Sequence, residues 1–117
     1  MERVAFIQSE SSEDLIVSFA IALEQPEEIR SLILMRTPKY EFLFDEFERG
    51  VSFSDEYNMD EDDMLHSLVI SQNVIHLQTL KQDYSLDIYG IDKKEISRAV
   101  KILRKMNFDN AFELRVS

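Results

Sequence analysis

Residues 65–89 read LHSLVISQNVIHLQTLKQDYSLDIY. Leu65, Ser67, Val69 and Ser71 alternate with His66, Leu68 and Ile70, the period of two that gives a strand distinct faces. Gln72-Asn73 is a tight-turn pair between two such runs. Val74-Ile75-His76-Leu77-Gln78-Thr79-Leu80 runs back, and Lys81-Gln82-Asp83 turns again. Tyr84, Leu86 and Ile88 then alternate with Ser85, Asp87 and Tyr89. Three antiparallel strands in a meander follow.

Downstream, Gly90-Ile91-Asp92 breaks the sheet. Asp92-Lys93-Lys94-Glu95 has the form of a capping box, an N-cap aspartate with a glutamate three residues on. Ile91 and Ile96 are placed to form the hydrophobic staple. Ile96, Ala99, Val100, Leu103 and Met106 make one apolar stripe, and Lys93, Lys94, Arg98, Lys101, Arg104 and Lys105 cover the rest of the helix. Arg104 and Lys105 suit the negative end of its dipole, and Asn107 suits its C-terminus. Residues 111–116 read as a final strand.

Upstream, Val4 to Gln8 reads as an opening strand. Ser11-Ser12-Glu13-Asp14 has the hydroxyls and acids of a helix start. Leu15, Ile16, Phe19, Ala20 and Leu23 recur at helical spacing, so a buried helix is predicted here, stopped by Pro26. Ser31 to Arg36 is a central strand, apolar on both faces. After the turn Thr37-Pro38-Lys39, residues 40–44 put Tyr40, Phe42 and Phe44 on one face of a strand, with a short helix over 40–49 as the alternative. Asp45 to Gly50 is an acidic connection, and Val51 to Ser54 resumes strand. Residues 55–63 hold seven acidic or amide residues in nine and read as an exposed loop. The expected fold is α+β, an antiparallel or mixed β-sheet with two helices packed on one face. The whole chain, 1–117, makes a single domain.

Composition narrows the chemistry. There is no cysteine, which removes disulfides, thiolate zinc sites and a cysteine nucleophile. The N-terminus carries no secretory pattern, and no apolar run is long enough to span a bilayer, so a cytoplasmic, non-membrane protein is expected. The 13 basic and 23 acidic residues give a net charge of −10. Residues 1–63 carry 17 acids and 5 bases (−12), and residues 64–117 carry 6 acids and 8 bases (+2). Such a surface repels phosphate backbones and attracts basic partners, so nucleic-acid binding is disfavoured.

Phosphate-cradling loops and nucleophile elbows need clustered glycines, whereas Gly50 and Gly90 stand far apart. His66 and His76 flank a turn and would make an acid–base or metal pair if they met across the hairpin. Nothing in their spacing asks for a metal, and ordinary strand residues explain them. Asp60 to Asp63 lack the central glycine and distal glutamate of a calcium loop. Carboxylate pairs such as Asp45 and Glu48 arise freely among so many acids. The basic face of the last helix reads as a solvated counterweight to the acidic front half. No catalytic residue, metal or cofactor is therefore assigned.

The remaining feature is residues 40–63, where Tyr40, Phe42, Phe44, Phe47, Phe53 and Tyr57 sit among nine acids from Asp45 onward. Aromatics outside the core would be anchors ringed by acids, suited to a basic protein surface. The candidate partner-binding residues are Asp45, Glu46, Glu48, Asp55, Glu56, Tyr57, Asp60, Glu61, Asp62 and Asp63. A core strand pair followed by a solvated loop explains the same residues without a partner.

Arg36-Thr37-Pro38-Lys39-Tyr40-Glu41-Phe42 running into Glu48-Arg49-Gly50-Val51 resembles small bacterial immunity proteins of polymorphic-toxin systems. Asp92 to Ile96 running into Leu103 to Asp109 does so as well, though a capped amphipathic helix there is common to many α+β domains. The two segments cover about a quarter of the chain. The resemblance implies a non-enzymatic inhibitor that neutralises a basic toxin, such as a nuclease domain, by direct binding. Two other functions fit the sequence: a dimeric structural or regulatory interaction domain, and a small enzyme built on His66 or His76.

Overall fold

In a computed structural model the chain is described at residues 1–24, 28–58 and 62–117. In chain order the strands are β1 (Glu2–Ser11), β2 (Leu15–Ala22), β3 (Ile29–Arg36), β4 (Ser52–Asp55), β5 (Asp63–Ser71), β6 (Val74–Thr79) and β7 (Asp83–Asp87). Helix α1 (Lys93–Met106) and β8 (Glu113–Val116) complete the chain. Short 3-10 segments occupy Pro38–Leu43, Glu46–Glu48 and Glu56–Asn58.

The meander forms as its alternation predicts. β5, β6 and β7 pair antiparallel, and Gln72 takes a left-handed φ of +47° in the turn between β5 and β6. Ile70, Ile75, Leu77 and Leu86 point inward from it and are buried.

The first predicted helix is a strand instead. Leu15–Ala22 lies between β1 and β3, with Val17 opposite Leu34 and Phe19 opposite Leu32. A short run that is apolar on every side satisfies a central strand as well as a buried helix. The β-branched Ile16, Val17 and Ile21, with Phe19, favour the strand once neighbours exist on both edges. The supposed cap becomes the turn of a β1–β2 hairpin, in which Ser12 N–H donates to the Asp14 carbonyl at 3.1 Å. The Asp14 carboxylate accepts the Thr37 hydroxyl at 2.6 Å and ties the turn to the end of β3. Pro26, the predicted stop, lies outside the described residues. The sheet is therefore covered by one α-helix among the described residues, not two.

The eight strands form one mixed sheet in the order β4-β3-β2-β1-β7-β6-β5-β8, and β4 also pairs with β5. Strands β4, β3, β2, β1, β7, β6 and β5 thus close into a ring. Its two seams are short: Glu2 and Arg3 of β1 run parallel to Leu86 and Asp87, and Ser52 and Phe53 of β4 pair with Met64 and Asp63. β8 runs parallel to the later part of β5, on the edge that β4 leaves open.

Helix α1 begins as read, with the Asp92 carboxylate accepting the Lys94 N–H at 2.8 Å. The capping box is not reciprocal, however. The Glu95 carboxylate accepts the Ile7 N–H at 3.2 Å and so binds the helix to the outer edge of β1. Ala99, Ile102, Leu103 and Met106 are buried against the sheet.

Gly50 makes the turn into β4 with φ +143°, a backbone that side chains with a Cβ rarely adopt. A Cβ there would also lie 2.6 Å from Met64 Cε. Gly50→Ala is predicted to lower unfolding stability by about 1–3 kcal/mol, measured by urea denaturation; an unchanged midpoint would mean that the turn carries no such constraint.

Candidate functional site

The inward residues of β3 organise both ends of the ring. Arg30, Leu32, Leu34 and Arg36 alternate toward the interior; both leucines are fully buried. The arginines stand at opposite ends of this row, roughly 20 Å apart by strand geometry.

At one end, Arg36 is 2% exposed, and all five of its N–H donors are satisfied. Nε and Nη2 clasp the Glu41 carboxylate at 2.7 and 2.9 Å, and Nη1 and Nη2 clasp Asp109 at 2.7 and 2.8 Å. Nη1 also donates to the Met106 carbonyl at 2.7 Å, on the last residue of α1. The Phe108 ring packs over the guanidinium at 4.3 Å. Burial alone would lower the arginine's pKa, but the two carboxylates more than offset it and hold the charge in place. Its bond to Arg36 in turn keeps Asp109 below the ordinary carboxylate value.

At the other end, Arg30 pairs in a fork with Asp55, with Nε at 2.8 Å from Oδ1 and Nη2 in contact with Oδ2. Arg30 Nη1 reaches Glu2 at 3.0 Å. Asp55 also accepts the Tyr84 hydroxyl at 2.8 Å and the Tyr57 N–H at 3.0 Å. Burial pushes Asp55 upward, yet Arg30, the Tyr57 N–H and the Tyr84 hydroxyl outweigh it and hold the carboxyl low. Tyr84 is raised by burial and by its bond to that carboxylate.

The predicted partner-binding residues separate in this frame. Asp45, Glu46 and Glu48 are exposed, as are Glu56, Tyr57 and Asp62. Asp60 and Glu61 lie outside the described residues. Two residues of the supposed exposed loop point inward. Asp55 is buried in the Arg30 cluster, and Asp63 is buried with the Thr79 hydroxyl donating to it at 2.5 Å. Alternation accounts for both: each sits on the inner face of a strand end, level with Leu32 and Phe53 respectively. Glu56 accepts the Ser31 N–H at 2.9 Å, and the Tyr57 ring lies under Arg30 at 4.5 Å. Along the chain, β4 lies between Asp45–Glu48 and Glu56–Tyr57.

Residues 40–44 are not a strand. Pro38–Leu43 makes a 3-10 segment, because Glu41 must turn inward to meet Arg36. The residues around Glu41 are then turned outward. Phe42 is 73% exposed, Leu43 68% and Phe47 92%, while Phe44 is also exposed. Phe53, by contrast, is core. Four large apolar side chains within six residues, interleaved with Asp45, Glu46 and Glu48, form an apolar knob with an acidic rim. Its apolar surface is roughly 400–500 Å², at the upper end of what a monomer ordinarily exposes. Runs of exposed apolar residues are costly unless they meet a partner. The signal for Arg36 was legible only as the one charge at the end of an apolar strand.

The histidines do not pair. Both are exposed, and His76 stands opposite Val69 rather than His66. His76 Nδ1 lies 3.2 Å from Ser85 Oγ. Among the described residues no cluster of His, Asp or Glu is arranged to hold a metal, and no helix is long and apolar enough to cross a membrane. Comparison with protein-family models, curated proteins and solved structures finds no match to this chain.

Arg36→Leu strands the buried Glu41 carboxylate and should cost about 3–5 kcal/mol; adding Glu41→Leu should recover part of the loss. Equilibrium denaturation of both single variants and the double variant measures this, and a double-variant loss equal to the sum of the single losses would show that the pair is not coupled. Asp55 and Asp109 are held below the ordinary value of 3.8. Groups depressed in the folded state stabilise it above their unfolded pKa, and that stability is lost as pH falls toward the folded value. Stability should therefore drop below about pH 4. Asp55→Asn should make the acid limb shallower in melts across the pH range, and an identical limb would remove Asp55 from the acid response.

Proposed function

We propose that this chain is a non-enzymatic binding protein that presents the knob Phe42–Glu48 to a basic protein surface. The observation that carries this reading is Phe47, 92% exposed between Glu46 and Glu48 on a segment rooted by a buried ion pair. The root holds the backbone while the tips stay free, and such preorganisation reduces what association must order. Burying the knob is worth about 10 kcal/mol gross. Association costs of 4–15 kcal/mol are of the same size, so the apolar tips alone do not give tight binding. Asp45, Glu46 and Glu48 supply long-range attraction and reject acidic surfaces.

An immunity-like inhibitor is the specific form of this reading. The more distinctive segments of the resemblance, Arg36 to Phe42 and Glu48 to Val51, contain the root and the end of the knob. A toxin that acts on nucleic acid carries a basic surface, and an acid-rimmed aromatic knob is complementary to it. Occluding that surface would neutralise the toxin without chemistry by the inhibitor.

The test is capture from a lysate of the source organism at low salt, followed by binding kinetics with the purified captured protein. A basic protein bound in stoichiometric amount is expected. Phe47→Ala should weaken it tenfold or more, about 1.4 kcal/mol or above, chiefly through faster dissociation. Replacing Asp45, Glu46 and Glu48 by their amides should slow association and flatten its salt dependence. Wild-type kinetics in both variants would remove the knob from the interface.

A further inference from the structure

The knob has a chemical counterpart on the same chain. Between α1 and β8 runs a shallow groove of about 460 Å³, with Ile96, Val100 and Val116 in its lining and Lys101 and Arg104 beside them. Lys93, Lys94 and Arg98 extend the positive face along the helix. Helix α1 carries six bases and one acid, within a chain whose net charge is −10. One surface is thus an apolar projection edged by Asp45, Glu46 and Glu48, with Arg49 donating to the Phe44 carbonyl at 3.2 Å, and the other is an apolar hollow edged by bases. They do not satisfy each other within a chain, since Phe47 is almost wholly exposed and Val116 is 42% exposed.

We propose that the α1–β8 groove receives the knob of a second copy of this chain. The proposal rests on the reading of Phe42–Glu48 as a docking knob and adds a regulation of it. A knob seated in another copy is withheld from the basic partner, so self-association and partner binding exclude one another.

Charge complementarity selects the occupant. Like net charges repel two copies at a distance, but the screening length at physiological ionic strength is about 8 Å. Whole-molecule repulsion is largely removed on that scale, while contacts such as Glu46 or Glu48 against Lys101 or Arg104 survive. Association should therefore strengthen from very low to moderate salt and weaken again at high salt. Knob and groove are different patches, so each copy keeps one of them free after the first contact. Growth then continues past the dimer unless a ring closes.

Sedimentation of the full chain across the micromolar range, at moderate salt, tests this. The wild type should show a mass that rises with concentration beyond the dimer or reaches a closed ring. Phe47→Ala removes the knob tip, and Lys101→Glu with Arg104→Glu reverses the rim. All three residues are exposed, so both variants keep their fold. Each alone should shift half-association to at least about tenfold higher concentration. Mixed one to one, they should form a heterodimer and stop there, because only the intact knob of one and the intact groove of the other remain.

A wild type that stays monomeric would overturn the proposal, as would a mixture that fails to associate. Wild-type association in either variant would also overturn it. The rim variant separates this proposal from the functional reading: it should lose self-association yet bind the captured basic protein as the wild type does. If that binding is retained while the wild type never self-associates, only the self-docking proposal falls. If Phe47→Ala leaves capture unchanged, the functional reading falls as well.

Discussion

The five hydrogen bonds of Arg36 tie together the end of β3, a 3-10 segment, the last residue of α1 and the loop after it. The residue ends β3, Glu41 lies in a 3-10 segment, Met106 ends α1, and Asp109 lies in the following loop. A guanidinium taken out of water costs several kcal/mol, and it is recovered only if every donor finds a partner. Here every donor does. The constraint runs both ways: the arginine is tolerable only in this arrangement, and the arrangement fails if any one partner moves. Glu41 faces inward, while Phe42, Leu43, Phe44 and Phe47 beside it are exposed. The exposed knob thus begins one residue after a buried ion pair.

Arg30 repeats the logic at the other end of the same strand. Between the two, Leu32 and Leu34 meet Val17, Phe19 and Phe53 in a dry centre. The interior is apolar in its middle and closed at each end by an arginine with carboxylates. This suits a ring whose seams at β1–β7 and β4–β5 are each only two residue pairs long. Short seams bring little ladder energy, and the Arg30–Asp55–Tyr84 cluster spans both halves of the ring with charge-assisted bonds. The acidic composition thus has two destinations. Asp55 and Asp63 serve the inside, while Asp45, Glu46 and Glu48 dress the knob.

Much of the fold is legible where one face is wet. The β5–β6–β7 meander alternates because its outer side meets water, and α1 announces itself through Asp92 and a clear apolar stripe. Legibility fails where an element is covered on every side. Leu15–Ala22 is apolar all round, so helical spacing and strand alternation are both present in it, and only its pairing with β1 and β3 decides. The candidate site was half legible. Its acids and aromatics stand out in composition, but which of them face outward depends on Arg36, a residue distant from neither in sequence yet bonded to Asp109 across the fold.

The sequence by itself determined the α+β class, the meander, the last helix, the lack of cysteine chemistry and an acidic front half. These rest on local periodicity, capping and composition, which act over a few residues. The tertiary structure alone decided that the second element is a strand, that the sheet closes on itself, and that Asp55 and Asp63 are interior. It also set Phe53 in the core and Phe47 in water. Those outcomes depend on which partners lie across the sheet, because a side chain's environment is fixed by neighbours far away in the chain. A charge such as Arg36 goes inward only where distant carboxylates and a helix end converge to receive it.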